Sequence, residues 1–231
     1  LGGFDALVLL GERMAANSFP GDGRLKLIAR MGVGYDTVDV PGCTQHAVAL
    51  TITPPAVARP MAVATLNFLL SLANNMLVKD RITREGPAGW AKRTNHHGLG
   101  LIGRVFAMIG VGNIGRETLR LIKPLDMEVI VHDPALSEAD AADLGVRLCD
   151  LDTIFREGDF VSLHCPLTDG TRHLVNATRL AQMKPTAYLI NTARGPVVDQ
   201  AAIYNALVDG TIAGAGLDVL DPEPSAANEA I

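Results

Sequence analysis

The strongest constraint on this chain is Gly110-Val-Gly112-Asn-Ile-Gly115, which directly follows the apolar run Val105-Phe-Ala-Met-Ile109 and opens a helical pattern. A glycine run in that setting marks a strand–turn–helix unit that holds a dinucleotide. Gly110 permits the tight turn, Gly112 lets a pyrophosphate approach the backbone, and Gly115 lets the helix close on the strand. Free N–H groups at the helix start then face the phosphates. The string alone is weak, because a glycine-rich turn reads the same way. A second signal supports it: Asp133 ends the next apolar run, 23 residues beyond Gly110. An acid roughly 20 residues on accepts hydrogen bonds from the ribose hydroxyls. A carboxylate there repels a 2′-phosphate, which favours NAD over NADP. Taken alone, Asp133 before Pro134 also reads as a strand-end turn.

Apolar runs and helical stretches alternate around this unit. Strands are expected at 104–109, 127–132, 159–164, 187–192 and 214–220, and helices at 114–122, 137–144, 177–183 and 200–208. Strands bounded by helices argue for a parallel sheet with right-handed crossovers. Their unbroken apolar character fits strands covered on both faces. Nearer the start, 5–10, 25–29 and 46–52 read as three more short strands, with a Gly32-Val-Gly34 loop between the last two. Pro54-Pro55 stops the third, and an apolar helix is expected from about 56 to 78, with Pro60 tolerated only in its first turn. The polar, unperiodic stretch after it reads as a linker.

Apolar residues make up 48% of the chain, enough for a real core, and the net charge of -5 leaves no basic footprint for nucleic acid or an anionic membrane. The longest apolar stretch, Met61 to Ala73, is interrupted by Asn67 and reads as a buried helix, not a membrane span. Cys43, Cys149 and Cys165 form neither a zinc framework nor a disulfide scaffold, so reduced thiols in a cytoplasmic protein are expected. The adjacent His96 and His97 lack a convincing partner set, so no metal is expected. Leu1 and Asp5 do not open a secretory leader, and Glu229, Ala230 and Ile231 close no element, so both ends read as cuts.

Five stretches, taken in order, resemble the NAD-dependent D-isomer-specific 2-hydroxyacid dehydrogenases. They are 25–36 (Leu-Lys-Leu-Ile-Ala-Arg-Met-Gly-Val-Gly-Tyr-Asp), Gly110 to Gly115, His164-Cys-Pro-Leu-Thr168, Asn191-Thr-Ala-Arg-Gly195, and Gly216-Leu-Asp-Val-Leu-Asp-Pro-Glu-Pro224. The resemblance implies an α/β fold: a Rossmann doubly wound parallel sheet with a partial flavodoxin-like substrate domain. It assigns residues 1–80 to that partial domain, 81–100 to a linker and 101–231 to the NAD domain, with its C-terminal end incomplete. It implies a cleft between the domains and a homodimer built on the cofactor domain.

By the same resemblance, Arg194 is the catalytic arginine. A planar guanidinium can hold the carboxylate and carbonyl of a 2-keto acid and stabilise charge developing on oxygen. From position alone, a solvated strand-end arginine is an equal reading. Glu223, 29 residues beyond Arg194, matches the carboxylate that orients an acid–base histidine. None of His46, His96, His97, His132, His164 and His173 matches the place of that histidine. Val33 and Gly34 match the loop that presents N–H groups to the substrate carboxylate. Asn113 and Ile114 match the phosphate loop, while His164, Cys165, Pro166 and Thr171 match positions along the cofactor. Thr192 and Ala193 match the nicotinamide side, and Asp218 the acid at its carboxamide.

Two positions depart from the family pattern: Val63 stands where glutamate is common, and Pro54-Pro55 replaces a Thr-Pro-Gly turn. The first substrate-domain strand has no counterpart, which is expected to leave a gap or unpaired edge and a less stable first 75 residues. The implied activity is hydride transfer between NAD(H) and a small D-2-hydroxy or 2-keto acid. A rival reading is an NAD-sensing, corepressor-like module that binds a protein partner without turnover.

Overall fold

The computed structural model describes residues 3–223. Residues 224–231, which hold Pro224 and the expected unclosed end, lie outside the described residues. The chain forms two compact units, Leu1–Pro60 and Met61–Ile231.

In the first unit, β1 (Ala6–Leu9), β2 (Leu27–Arg30) and β3 (Ala49–Thr51) form a parallel sheet in the order β1-β2-β3. Between β2 and β3 lies α1 (Val40–Gln45), which apolar periodicity did not announce. Its start is nonetheless written locally: the Asp39 carboxylate accepts the Gly42 N–H and Pro41 sits in the first turn. Ile28 on the central strand is fully buried among Leu9, Met14, Phe19, Leu25 and Val48. Val8 on the edge strand β1 is 77% exposed.

The apolar helix α2 (Pro54–Ala73) begins at the proline pair and runs through Pro60. Pro60 therefore lies beyond the first turn, contrary to expectation, and gives up the N–H that would reach the carbonyl of Ala56. The first compact unit ends at this proline. By length and composition α2 is able to cross a membrane. Its Leu69 and Ala73, however, are fully buried against Phe106, Met108 and Ile122. It also stops before Val78, because Asn75 takes a left-handed conformation and starts α3 (Met76–Arg84). α4 (Pro87–Trp90) follows, so part of the expected linker is helical.

The second unit holds β4 (Val105–Ile109), α5 (Asn113–Ile122), β5 (Glu128–His132), α6 (Glu138–Leu144), β6 (Arg147–Leu148) and α7 (Leu151–Glu157). β7 (Phe160–Leu163), α8 (Ala177–Leu180), β8 (Tyr188–Asn191), α9 (Gln200–Val208) and β9 (Gly214–Leu217) complete it. All six strands run parallel in the order β6-β5-β4-β7-β8-β9. Counted within this sheet, that is the 3-2-1-4-5-6 order of a doubly wound dinucleotide fold.

The apolar runs are continuous because both faces are covered. Phe106, Met108, Val129, Val131, Phe160 and Ile190 pack on one side. Their neighbours Ala107, Ile109, Ile130, Val161, Leu163 and Leu189 pack on the other. Polar side chains fix the helix starts: Ser137, Asp150, Asn176 and Asp199 cap α6, α7, α8 and α9. At the N-terminal edge, the buried Asp159 accepts the Val105 N–H at 2.8 Å and meets Lys184 at 3.1 Å and Arg104 at 3.4 Å. Burial alone would raise its pKa. The Val105 N–H and the Lys184 ammonium outweigh that and hold it below the usual carboxylate range.

Candidate active site

Strand order reverses between β4 and β7, and the C-terminal ends of these strands carry Gly110 and His164. Gly110 has φ +97, and a Cβ there would stand 2.8 Å from the His164 carbonyl. Its N–H donates to the His132 carbonyl at 2.8 Å. A Cβ on Gly115 would lie 2.6 Å from the Gly110 oxygen, so this glycine seats α5 against the turn. Gly112 differs, because a Cβ there would meet nothing within 4 Å. Its bareness is not required by the protein's own packing and leaves open space in front of α5. Among the described residues no side chain caps that helix, which leaves the first-turn N–H groups of Asn113 and Ile114 without a side-chain cap there. These residues fit a pyrophosphate, held by backbone donors at a helix start.

Asp133 both shapes the turn and supplies the acid. One carboxylate oxygen accepts the Val111 N–H at 2.7 Å and the other the Ala135 N–H at 2.8 Å. It ties the glycine loop to the end of β5 and keeps lone pairs for ribose hydroxyls. Thus the strand-end-turn reading and the ribose reading describe the same residue. His132 beside it bonds the Cys149 carbonyl through Nδ1 at 2.9 Å.

Beyond β7, His164 Nε2 lies 2.9 Å from Ser162 Oγ, while its buried Nδ1 has no partner among the described residues. The residue keeps some exposure, but Nδ1 is shut from water, and burial pushes the imidazole down to about 4. Burial likewise pushes the Cys165 thiol up to about 11. Thr171 Oγ1 reaches the Pro166 carbonyl at 2.6 Å and takes the Thr168 N–H at 2.8 Å and the Thr168 hydroxyl at 3.1 Å. That fills a hydroxyl's capacity, so Thr171 shapes the loop from Pro166 onward instead of reaching outward.

At the end of β8, Asn191 and the following Thr192 are buried and Ala193 and Arg194 half-buried. Thr192 Oγ1 sits 3.1 Å from Thr65 Oγ1 on α2. The Asn191 amide accepts the Ala193 N–H at 3.0 Å and donates to the Arg194 carbonyl at 2.9 Å. Arg194 Nη1 donates to the Ala193 carbonyl at 2.8 Å. The loop after β9 backs onto this turn: a Cβ on Gly195 would lie 1.7 Å from the Leu220 oxygen. Glu223, exposed, accepts the Leu220 N–H at 2.7 Å. Arg194 and Glu223 are thus carried on two loops in contact through Gly195 and Leu220. Asp218 is exposed at the end of β9, its N–H on the Asn191 carbonyl at 3.0 Å.

Val33 and Gly34 lie in the first unit, in the turn after β2. Gly32 fixes the start of that turn: its N–H bonds Thr53 Oγ1 and its carbonyl takes the Thr53 N–H, both at 2.9 Å. Among the described residues, no group of three or more His, Cys, Asp or Glu side chains is placed to hold a metal ion. Sequence reasoning gave no role to Asn191, Thr65, Gly195 or Gln200. The signal for Asn191 was an amide directly after an apolar run and three residues before the arginine, while Thr65 is visible only in three dimensions.

A sheet in this order binds a dinucleotide where its strand order reverses, and the groups gathered there suit one. That defines the class as a dinucleotide-binding protein of Rossmann architecture. Residues 66–231 match the family model "D-isomer specific 2-hydroxyacid dehydrogenase, NAD binding domain". The chain belongs to this family, whose members transfer hydride between NAD(H) and 2-hydroxy or 2-keto acids. It is 37% identical over 221 residues to a hydroxypyruvate reductase of Thermotoga maritima, spanning 95% of this chain and 70% of the relative. It is 39% identical over 223 residues to a glyoxylate reductase of Korarchaeum cryptofilum, spanning 95% and 67%. Its fold superposes on the holo D-mandelate dehydrogenase of Rhodotorula graminis with a TM-score of 0.88 at 29% identity, covering 98% of this chain and 70% of that one. These relatives are reductases and dehydrogenases, which does not favour the corepressor-like reading.

Proposed function

We propose that this chain binds NADH at the Gly110–Gly115 turn and reduces a small 2-keto acid of the glyoxylate or hydroxypyruvate kind. The carrying observation is that Arg194 leaves the C-terminal end of β8 on a turn in contact with the Glu223 loop, on the cofactor edge of the sheet. The reductase names of relatives at 36–39% identity supply the substrate class. Asn113 and Ile114 offer N–H groups to the phosphates, and Asp133 accepts the ribose hydroxyls. Thr192, Ala193 and Asp218 border the nicotinamide, and the bound nicotinamide supplies the hydride. His164, Cys165 and Pro166 line the adenosine side through their backbone, since the imidazole and thiol are buried and uncharged. Arg194 holds the keto acid's carboxylate and carbonyl and stabilises the charge that develops on oxygen. Val33 and Gly34 present N–H groups to the carboxylate, and Glu223 is placed to orient an acid–base group that none of this chain's six histidines matches.

The test is NADH oxidation with glyoxylate, hydroxypyruvate, phosphohydroxypyruvate and phenylglyoxylate, with NADPH as the comparison. The two small acids with NADH are expected to be turned over fastest, and Arg194→Ala to lower kcat/KM about 100- to 1,000-fold. Preference for NADPH, or an Arg194→Ala variant as fast as the parent, would refute the assignment.

We further propose that the protein works in the cytoplasm as a homodimer. Its three cysteines are free, and the second unit exposes Leu77, Trp90 and Ile102 at 76%, 60% and 81%. A monomer in sedimentation at micromolar concentration would remove the dimer.

A further inference from the structure

We propose that Asn191 is the positioning residue for Arg194. Its amide clamps the main chain on which the guanidinium is mounted, while Gly195 lets the Glu223 loop seat on the same turn. This rests on the reading of Arg194 given under Proposed function and deepens it.

Asn191 is the last residue of β8 and is 1% exposed. In the sheet it pairs with Leu217 of β9, and its carbonyl takes the Asp218 N–H. Its side chain then works in both directions, with Oδ1 accepting from the Ala193 N–H and Nδ2 donating to the Arg194 carbonyl. A side chain that accepts at one end and donates at the other, on a single methylene, is an asparagine. Aspartate keeps the acceptor but sets a negative charge against the Arg194 carbonyl. Alanine takes the partner from the part-buried Ala193 N–H and from the part-buried Arg194 carbonyl. The residue between is also held, since Thr192 Oγ1 meets Thr65 Oγ1, which reaches the Met61 carbonyl at 3.1 Å. The backbone through 191–194 is therefore fixed by side chains from β8 and α2.

Gly195 completes the device. The contact with Leu220 leaves no room for a Cβ, and the same Leu220 presents its N–H to Glu223. Gln200, at the start of α9, takes the Asp221 N–H at 2.8 Å and pins the loop from the other side. The arginine turn and the glutamate loop share one rigid seat, so a shift in either moves both.

The experiment compares Asn191→Ala, Asn191→Asp, Arg194→Ala and the double variant Asn191→Ala/Arg194→Ala, with keto-acid turnover and NADH affinity by fluorescence titration. Asn191→Ala is expected to lower kcat/KM for the keto acid roughly 10- to 100-fold, with NADH affinity unchanged within about threefold. Added to Arg194→Ala it should cost nothing further, because it acts through that residue. Asn191→Asp carries the sharper signature. Protonation of the buried carboxyl restores a donor toward the Arg194 carbonyl, so its rate relative to the parent should rise as pH falls. Gly195→Ala should lower keto-acid turnover without lowering NADH affinity, and it serves as the second arm if Asn191 variants do not fold. Independent, additive losses from Asn191→Ala and Arg194→Ala overturn the proposal, as does a flat Asn191→Asp ratio across pH or a parallel loss of NADH affinity. An Arg194→Ala variant with full turnover would instead fell the underlying reading of the arginine.

Discussion

At the scale of single residues, His164 shows how burial next to the cofactor turn sets a pH limit. Its imidazole is shut in with one nitrogen on Ser162 and the other without a partner among the described residues, and its folded pKa sits at about 4. The unfolded chain takes up the same proton near pH 6.5. Stability from this residue is therefore complete above about pH 6.5, declines as pH falls toward about 4, and declines no further below that. A shift of this size corresponds to about 3 kcal/mol. Asp159 adds little above pH 4.5, because its depressed pKa withdraws stability as pH falls through the usual carboxylate range and below it. We expect the urea midpoint of the parent to fall between pH 7.5 and 4.5, and that of His164→Asn to fall markedly less. Equal slopes for the two would show that the histidine is not the titrating group. Asp133 carries a second lesson at this scale. Its spacing from Gly110 was readable as cofactor chemistry and Pro134 as a turn; the structure shows the turn, with both oxygens on backbone N–H groups, and each oxygen keeps a lone pair for the proposed ribose contact. The Asn191 clamp was not readable, since hydrogen bonds to the main chain two and three residues on leave no trace in hydropathy.

At the scale of elements, the three glycines of the turn separate stability from binding. Gly115 faces the Gly110 carbonyl, so Gly115→Ala must push α5 away from β4, at a cost of about 1–3 kcal/mol. Gly112 faces open space with φ -72, so Gly112→Ala should fold with nearly parental stability yet weaken NADH binding at least about tenfold. Thermal melts and fluorescence titration of both variants check this. A Gly112→Ala variant that binds as the parent does would show that the phosphates lie elsewhere. The longer apolar strands and the helices from 113, 138 and 200 were legible because their hydrophobic runs are long or their caps plain. β6 was missed because two residues make no pattern, and α7 because Leu151, Ile154 and Phe155 give only one turn of apolar spacing. Reading Pro60 as a first-turn residue failed for a different reason. The helix starts at Pro54, and an apolar 20-residue helix anchored on the sheet by Leu69 and Ala73 tolerates one lost hydrogen bond.

At the scale of the whole molecule, the two units differ in how much core each owns, and stability should follow. Among the described residues, the first unit rests on one cluster of eight buried side chains around Ile28, on a sheet whose β1 and β3 each pair only with β2. The second unit has clusters of twenty and twelve on the two faces of a six-stranded sheet. Burial per residue rises with domain size, and local opening follows the apolar surface an element covers. An edge strand such as β1, with Val8 facing water, has little to hold it closed. Amides of β1, β2 and β3 should therefore exchange through openings of lower free energy than those of β4, β5 and β7. Native-state hydrogen exchange measures the difference directly, best at the central positions Ile28 and Ile130, both 0% exposed. Protection factors at Ile28 at least about 100-fold below those at Ile130 are expected, about 3 kcal/mol of opening free energy. Equal protection at the two would mean that the small sheet gains support beyond its own cluster, and that its stability is not set by the core it encloses.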